Sequence, residues 1–377
     1  MANIMDYIRW RGDLTFAQAP LNGVDGLIFS ALAYIRYAGQ AESEPRVPLT
    51  LAQAGEDLFA REDYETRSRV KNDLVLLRIA MESVRFGQSR LCMYRDEFRP
   101  EQETQFAAMT FQLDDGSLFL AFRGTDSTLV GWKEDFNMTF QQTIPAQRLA
   151  VQYVREVAQE YEATMRLGGH SKGGNLAVFA AARSSPAIQS RILQVFNNDG
   201  PGFTKYLMGD PGYLTMVPKI RTFIPQSSVI GMLLGHEEPY TVIRSKTIGL
   251  LQHDPYSWEV MGNAFVAGEE VTETSQFVDA TLKTRFADMT NQERNQLVDV
   301  MYTLLNSGEV DRPADILQPK NLHVYLKALS ENEKLRKYLS MEFLGFVDAA
   351  RKARVKLEQE RKEEKMLEEG FQPETEA

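Results

Sequence analysis

The chain has 377 residues, a formal net charge of −10 at pH 7 and one cysteine, Cys92. The acidic balance excludes nucleic acid as a partner, because phosphate binding needs a basic face. A lone cysteine excludes a disulfide framework and fits a reducing compartment. With 43% hydrophobic and 25% charged residues, the chain is long enough to bury a large core.

The start, Met1-Ala2-Asn3-Ile4-Met5-Asp6-Tyr7, lacks the basic stretch and apolar core of a signal peptide. No apolar run approaches the length of a transmembrane segment, so the expectation is a soluble cytoplasmic protein. Residues 1 to about 75 are expected to be mostly helical. Asp25 to Tyr37 carries Leu27, Ile28, Leu32, Ile35 and Tyr37 at roughly helical spacing. Glu56 to Ala80 is charged and helix-compatible. The pattern then changes. Two apolar runs, Phe106 to Leu113 and Ser117 to Arg123, flank Asp114-Asp115-Gly116, which predicts a hairpin. Ala146 to Tyr161 has helical spacing. A strand-like run, Thr164 to Leu167, leads into a glycine-rich turn, and Leu176 to Arg183 continues as a helix stopped by Ser185-Pro186. Strands are expected at Ile192–Phe196, Ile220–Ile224 and Tyr240–Arg244.

Strands alternating with helices predict an α/β fold with a largely parallel sheet. After about residue 270 the chain reads helical again. Thr290 with Glu293 forms a capping box, with Gly308 as a stop. Ser330 with Glu333 forms a second box, opening a helix that runs to about Glu369 and ends in the charged stretch from Arg351. The expected organisation is a helical segment over 1–80, an α/β core over 81–265 and a helical region over 266–377.

Gly169-His170-Ser171-Lys172-Gly173 has the G-x-S-x-G form of a nucleophile elbow, which lifts a serine hydroxyl above a sheet edge. Short matches arise by chance, but the preceding strand and the small residues that follow (Asn175, Ala177, Ala180, Ala181) favour Ser171 as a nucleophile. Upstream, at the end of the hairpin, stands Phe122-Arg123-Gly124-Thr125-Asp126-Ser127. An acyl-transfer enzyme needs donors aimed at the developing oxyanion. The N–H of Lys172 supplies one, and Thr125 supplies the other through its backbone and hydroxyl.

The base must be a histidine, and there are four. His170 adjoins the nucleophile and reads as structural; His323 lies in the helical C-terminal region. His253 follows the last strand, where the chain order serine, acid, histidine places the base, with His236 as the alternative. The Lys172 side chain is expected to pack along its stem and carry its ammonium to solvent, or else to meet a polar substrate head. Arg123 and Asp135 are expected to brace the oxyanion loop as an ion pair. Phe203–Met208 and Val229–Leu234 are apolar segments that serve as lids or as plain core.

The pair Phe122-Arg123-Gly124-Thr125 and Gly169-His170-Ser171-Lys172-Gly173-Gly174 resembles the class 3 lipases, the fungal-type branch of the α/β-hydrolases. Trp132-Lys133-Glu134-Asp135-Phe136 resembles that family's tryptophan–aspartate segment, and the chain as a whole is similar to a bacterial lipase-like family of the same type. The resemblance spans about 105–260. It implies an α/β-hydrolase core, an oxyanion role for Thr125 and hydrolysis of carboxylic esters of acylglycerol or phospholipid origin without a cofactor. Class 3 lipases carry the acid after the strand that here ends Ile224-Pro225, but this chain has Gln226-Ser227-Ser228. Asp199, one strand earlier, resembles the placement in pancreatic-type lipases; its competing reading is a turn cap before Gly200-Pro201, and Glu237 and Glu238 are alternative acids.

The histidines do not cluster with cysteine or carboxylates at metal-ligand spacing, so no metal is expected. The partner is a small-molecule or lipid ester, with peripheral membrane contact left open and no transmembrane segment. Two other readings share these residues: another acyl-transfer enzyme (thioesterase, acyltransferase or peptidase), and a non-catalytic scaffold that binds a partner through its charged C-terminal helix.

Overall fold

The computed structural model describes residues 1–37, 48–125, 129–138, 141–307 and 319–370. Eight strands form one sheet in chain order: β1 (Leu49–Thr50), β2 (Arg90–Arg99), β3 (Thr104–Gln112), β4 (Leu118–Phe122), β5 (Met165–His170), β6 (Ile192–Asn198), β7 (Ile220–Pro225) and β8 (Tyr240–Ile243). The pairs from β1 to β4 are antiparallel and the pairs from β4 to β8 are parallel. The hairpin β3–β4 closes as the Asp-Gly turn predicts. β2 is not foreseen: its run of arginines, Asp96 and Glu97 hides a strand, and its register slips between Cys92 and Arg95.

The first helices are α1 (Ile4–Arg11), α2 (Gly23–Leu32), α3 (Leu51–Phe59), α4 (Lys71–Glu82) and α5 (Val84–Gly87). The expected helix over Glu56–Ala80 is thus broken between α3 and α4. Next come α6 (Leu129–Met138), α7 (Pro145–Glu160), α8 (Lys172–Ala182), α9 (Pro186–Arg191), α10 (Lys205–Met208) and α11 (Pro211–Met216). The C-terminal region holds α12 (Glu273–Ala287), α13 (Asn291–Asn306), α14 (Pro319–Glu331) and α15 (Glu333–Gly370). Thr290 and Glu293 do cap α13 reciprocally. Gly308, its expected stop, lies outside the described residues, as do Asp126 and Ser127. Ser330 does not cap α15: its hydroxyl donates back to Lys327 within α14, and Asn332 accepts the Leu335 N–H instead.

β4 shows how the layers form. Phe119 and Ala121 point to one core, shared with Phe111 of β3 and with Phe29, Phe86 and other residues of the N-terminal helices. Leu118, Leu120 and Phe122 point to the opposite core with Tyr153, Val154 and Leu176 of α7 and α8. Side chains alternate across a strand, so a strand buried on both faces reads as a continuous apolar run. Burying each of the larger side chains contributes about 2 kcal/mol. A mixed sheet with helices on both faces and a strand–serine–helix turn at the end of β5 makes an α/β-hydrolase core.

Candidate active site

Ser171 sits between β5 and α8 with φ 60° and ψ −134°, a strained conformation for a residue with a Cβ. Close packing holds it there. A Cβ on Gly173 would stand 2.1 Å from the Phe122 carbonyl oxygen, so only glycine lets α8 approach β4 this closely. The Ser171 N–H donates to Asn198 O at 3.0 Å. Ser171 therefore lies against the carboxyl end of β6, one residue before Asp199.

Asp199 is fully buried, with φ 53°. Its Oδ2 accepts His253 Nδ1–H at 2.6 Å and its Oδ1 accepts the Ser228 hydroxyl at 2.5 Å. The first bond sets the His253 tautomer and leaves Nε2 as the basic nitrogen. Asn197 Oδ1 accepts Gly200 N–H, and Asn175 Nδ2 donates to the Pro201 and Gly202 carbonyls at 3.0 Å. The loop after β6 is thus tied to α8. Among the described residues the Ser171 hydroxyl makes no hydrogen bond.

His170 is buried and holds the other side. Its Nε2–H donates to the His253 carbonyl at 2.7 Å, so its Nδ1 accepts from Tyr34 Oη–H at 3.1 Å. Burial, with His253 beside it, pushes its pKa far below the usual imidazole value, and it stays neutral. Burial likewise raises the Tyr34 hydroxyl to about 12, so it remains a donor. Arg69 lies over the Tyr34 ring at 4.1 Å.

The loop after β4 lies against the elbow: a Cβ on Gly124 would be 3.2 Å from Ser171 Cβ, and one on Gly173 would be 3.0 Å from Gly124 N. The Thr125 hydroxyl donates to Asp135 Oδ2 at 2.5 Å. The expected Arg123–Asp135 pair does not form. Arg123 pairs with Asp96 of β2, at 2.8 and 3.0 Å, a partner hidden with that strand. Burial raises the Asp135 carboxyl to about 6, against the opposing pull of Lys172 and the Thr125 hydrogen bond.

Lys172 also departs from expectation. Its side chain is 1% exposed and does not carry its ammonium to solvent. Its ammonium donates to Glu134 Oε2 at 2.9 Å and to Gln105 O and Oε1 at 3.0 Å. Glu134 also accepts the N–H groups of Gln105 and Ala146. One buried ion pair thus joins the residue after Ser171 to α6, β3 and α7. Lys172→Met leaves the Glu134 charge buried and uncompensated, and is expected to cost about 3–5 kcal/mol. Adding Glu134→Gln removes that charge and is expected to recover part of the loss; denaturant unfolding midpoints of the two variants check this.

The alternative base, His236, belongs to a separate cluster. Its Nδ1 faces Glu238 Oε1 at 3.0 Å and its Nε2 faces Gly231 O at 2.8 Å. Glu238 also accepts the Tyr213 and Thr222 hydroxyls. Despite burial, which raises it, these donors hold its carboxyl below the usual value. The Glu237 N–H donates to Tyr213 Oη, and among the described residues neither Glu237 nor Glu238 has a hydrogen bond to His253. His323 is exposed. The two apolar segments considered as lids meet at their ends: Phe203 exchanges N–H···O bonds with Gly235, just past the second segment, and Gly202 N–H, just before the first, donates to Leu233 O.

Sequence reasoning gave no role of their own to Asn175, Ser228 and Glu134, and overlooked Tyr34. Asn175 had a signal, one turn past Ser171 at the start of α8; the others become neighbours only through the fold. Among the described residues no group of three histidine, cysteine or carboxylate side chains could hold a metal, and no helix is long and apolar enough to cross a membrane.

A model of the Mbeg1-like family matches residues 80–303. No curated protein matches the chain. Similar solved structures include Rhizomucor miehei lipase in its native propeptide complex, at 13% identity and TM-score 0.30 over 41% of this chain and 57% of that one. A deletion mutant of the same complex is similar at 13% identity and TM-score 0.38, over 64% and 79%. M37 lipase is similar at 14% identity and TM-score 0.35, over 56% and 69%. The chain thus spans 57% of the length of the first of these.

Proposed function

We propose that this chain, which belongs to the Mbeg1-like family, is a serine hydrolase that cleaves carboxylic esters through an acyl-enzyme. The observation that carries the reading is the 2.6 Å hydrogen bond from His253 to buried Asp199, beside a serine held in an elbow conformation. In the proposed reaction Ser171 Oγ attacks the ester carbonyl carbon as His253 Nε2 takes its proton. The N–H groups of Thr125 and Lys172 hold the oxyanion. His253 then protonates the departing alcohol, and a water molecule repeats the sequence to release the acid. Asp199 orients His253 and offsets its transient positive charge. Ile248 and Leu251, on the segment leading to His253, are 81% and 59% exposed. They favour an acyl chain or lipid surface over a wholly polar substrate.

Incubation with a fluorophosphonate, followed by intact-mass analysis and peptide mapping, tests the reading. One phosphonyl adduct on Ser171 is expected. Folded protein that takes up no adduct, or takes it up elsewhere, sinks the assignment in favour of a non-catalytic scaffold. A panel of esters, thioesters and peptides then separates ester hydrolysis from other acyl transfer.

A further inference from the structure

Gln226-Ser227-Ser228 follows β7. Ser228 is buried, and its hydroxyl lies between two partners: it donates to Asp199 Oδ1 at 2.5 Å and accepts Gly231 N–H at 3.0 Å. Each oxygen of Asp199 therefore has its own donor, Ser228 on one and His253 on the other. Gly231 seals the arrangement, since a Cβ there would stand 2.3 Å from Asp199 Oδ1. The loop is fastened from behind, where His236 bridges the Gly231 carbonyl and Glu238.

We propose that Ser228 is a positioning residue for the acid, one that holds the Asp199 carboxylate in place and sets how much negative charge it presents to His253. This rests on the reading of Asp199 and His253 as acid and base. A hydroxyl donor on Oδ1 draws charge away from Oδ2. Without it, Oδ2 stabilises the imidazolium more strongly, so His253 holds its proton to higher pH and is a less available base at a given pH below that point.

The other titratable groups around the pair are few. His170 stands 4.6 Å away, ring to ring, and Asp135 acts on His253 from the oxyanion loop. Asp254 follows in the chain. Behind the acid are His236 and Glu238, with Asp279 of α12 acting on His236. None of these donates to Oδ1.

The test uses Ser228→Ala and Ser228→Thr in the full chain. In Ser228→Ala the acidic limb of kcat/KM for a p-nitrophenyl ester is expected to move upward by roughly half a pH unit, about the effect of one neutral hydrogen bond on a carboxylate. At neutral pH kcat is expected to fall about tenfold with KM unmoved. Ser228→Thr, which keeps the hydroxyl, is expected to stay near the native profile. The downfield proton resonance of His253 Nδ1–H, read by NMR on the folded protein without turnover, is expected to move further downfield in Ser228→Ala alone. An unmoved resonance, or a limb that stays or moves down, overturns the proposal. If the native protein hydrolyses no ester, the hydrolase reading fails by itself, and the resonance still decides the role of Ser228.

Discussion

Ser171→Ala is expected to lower kcat by about a million-fold and to abolish phosphonylation, while KM stays near its native value. The residual rate would come from the oxyanion donors and substrate binding, which the substitution leaves in place. Both proposed donors belong to the backbone of Thr125 and Lys172, and the elements carrying them are braced independently of the serine side chain by Asp135 and Glu134. Steady-state kinetics on an activated ester, with intact mass as the companion measurement, checks this. A variant that still takes up one phosphonyl group, or retains more than a thousandth of native turnover, removes Ser171 from the nucleophile role.

Asp199→Asn is expected to cost about 10⁴-fold in kcat with the fold intact, the order seen when a triad acid becomes an amide. The geometry gives the reason. Ser228 keeps its donor on Oδ1, so the new amide nitrogen takes the place of Oδ2 and turns a donor toward His253 Nδ1. The imidazole then carries its proton on Nε2, the nitrogen that should receive the one from Ser171. Asparagine has nearly the same volume as aspartate, so the denaturant midpoint is expected to move little. Because the residues act as one unit, the double variant Ser171→Ala, Asp199→Asn is expected to be no slower than Ser171→Ala alone. Turnover within tenfold of native in Asp199→Asn would assign the acid elsewhere.

Much of the parallel half of the sheet is legible from local pattern. β5 to β8 are short apolar runs separated by helices of regular period, and the glycines around Ser171 mark the turn between β5 and α8. The hairpin β3–β4 follows from one Asp-Gly turn. What escapes depends on partners distant in sequence. β2 is too charged to look like a strand, so Asp96 stays hidden as the partner of Arg123, and Arg123 is left to pair with the wrong aspartate. A lysine is ordinarily a surface residue; only the fold brings Lys172 to Glu134, 38 positions upstream. Tyr34 reaches His170 across 136 positions. Asp199 is legible as a carboxylate at a strand end, but its contact with His253 depends on how the loops after β6 and β8 meet. At α15 the error is local: two neighbouring polar residues compete for the cap, and Asn332 takes it over Ser330.

Ser171 and Asp199 share positive φ angles, at about 1–3 kcal/mol each. The same two positions that would perform the chemistry therefore oppose the folded state. Ser171→Gly, which relieves the backbone as Ser171→Ala cannot, is expected to melt higher than the native protein, by an amount worth about 1 kcal/mol; differential scanning calorimetry reads it directly. A collection of variants sorted for heat resistance alone would drift toward glycine at position 171. Durability and turnover pull against each other at one backbone torsion, so any screen for a hardier form must select for turnover in the same round.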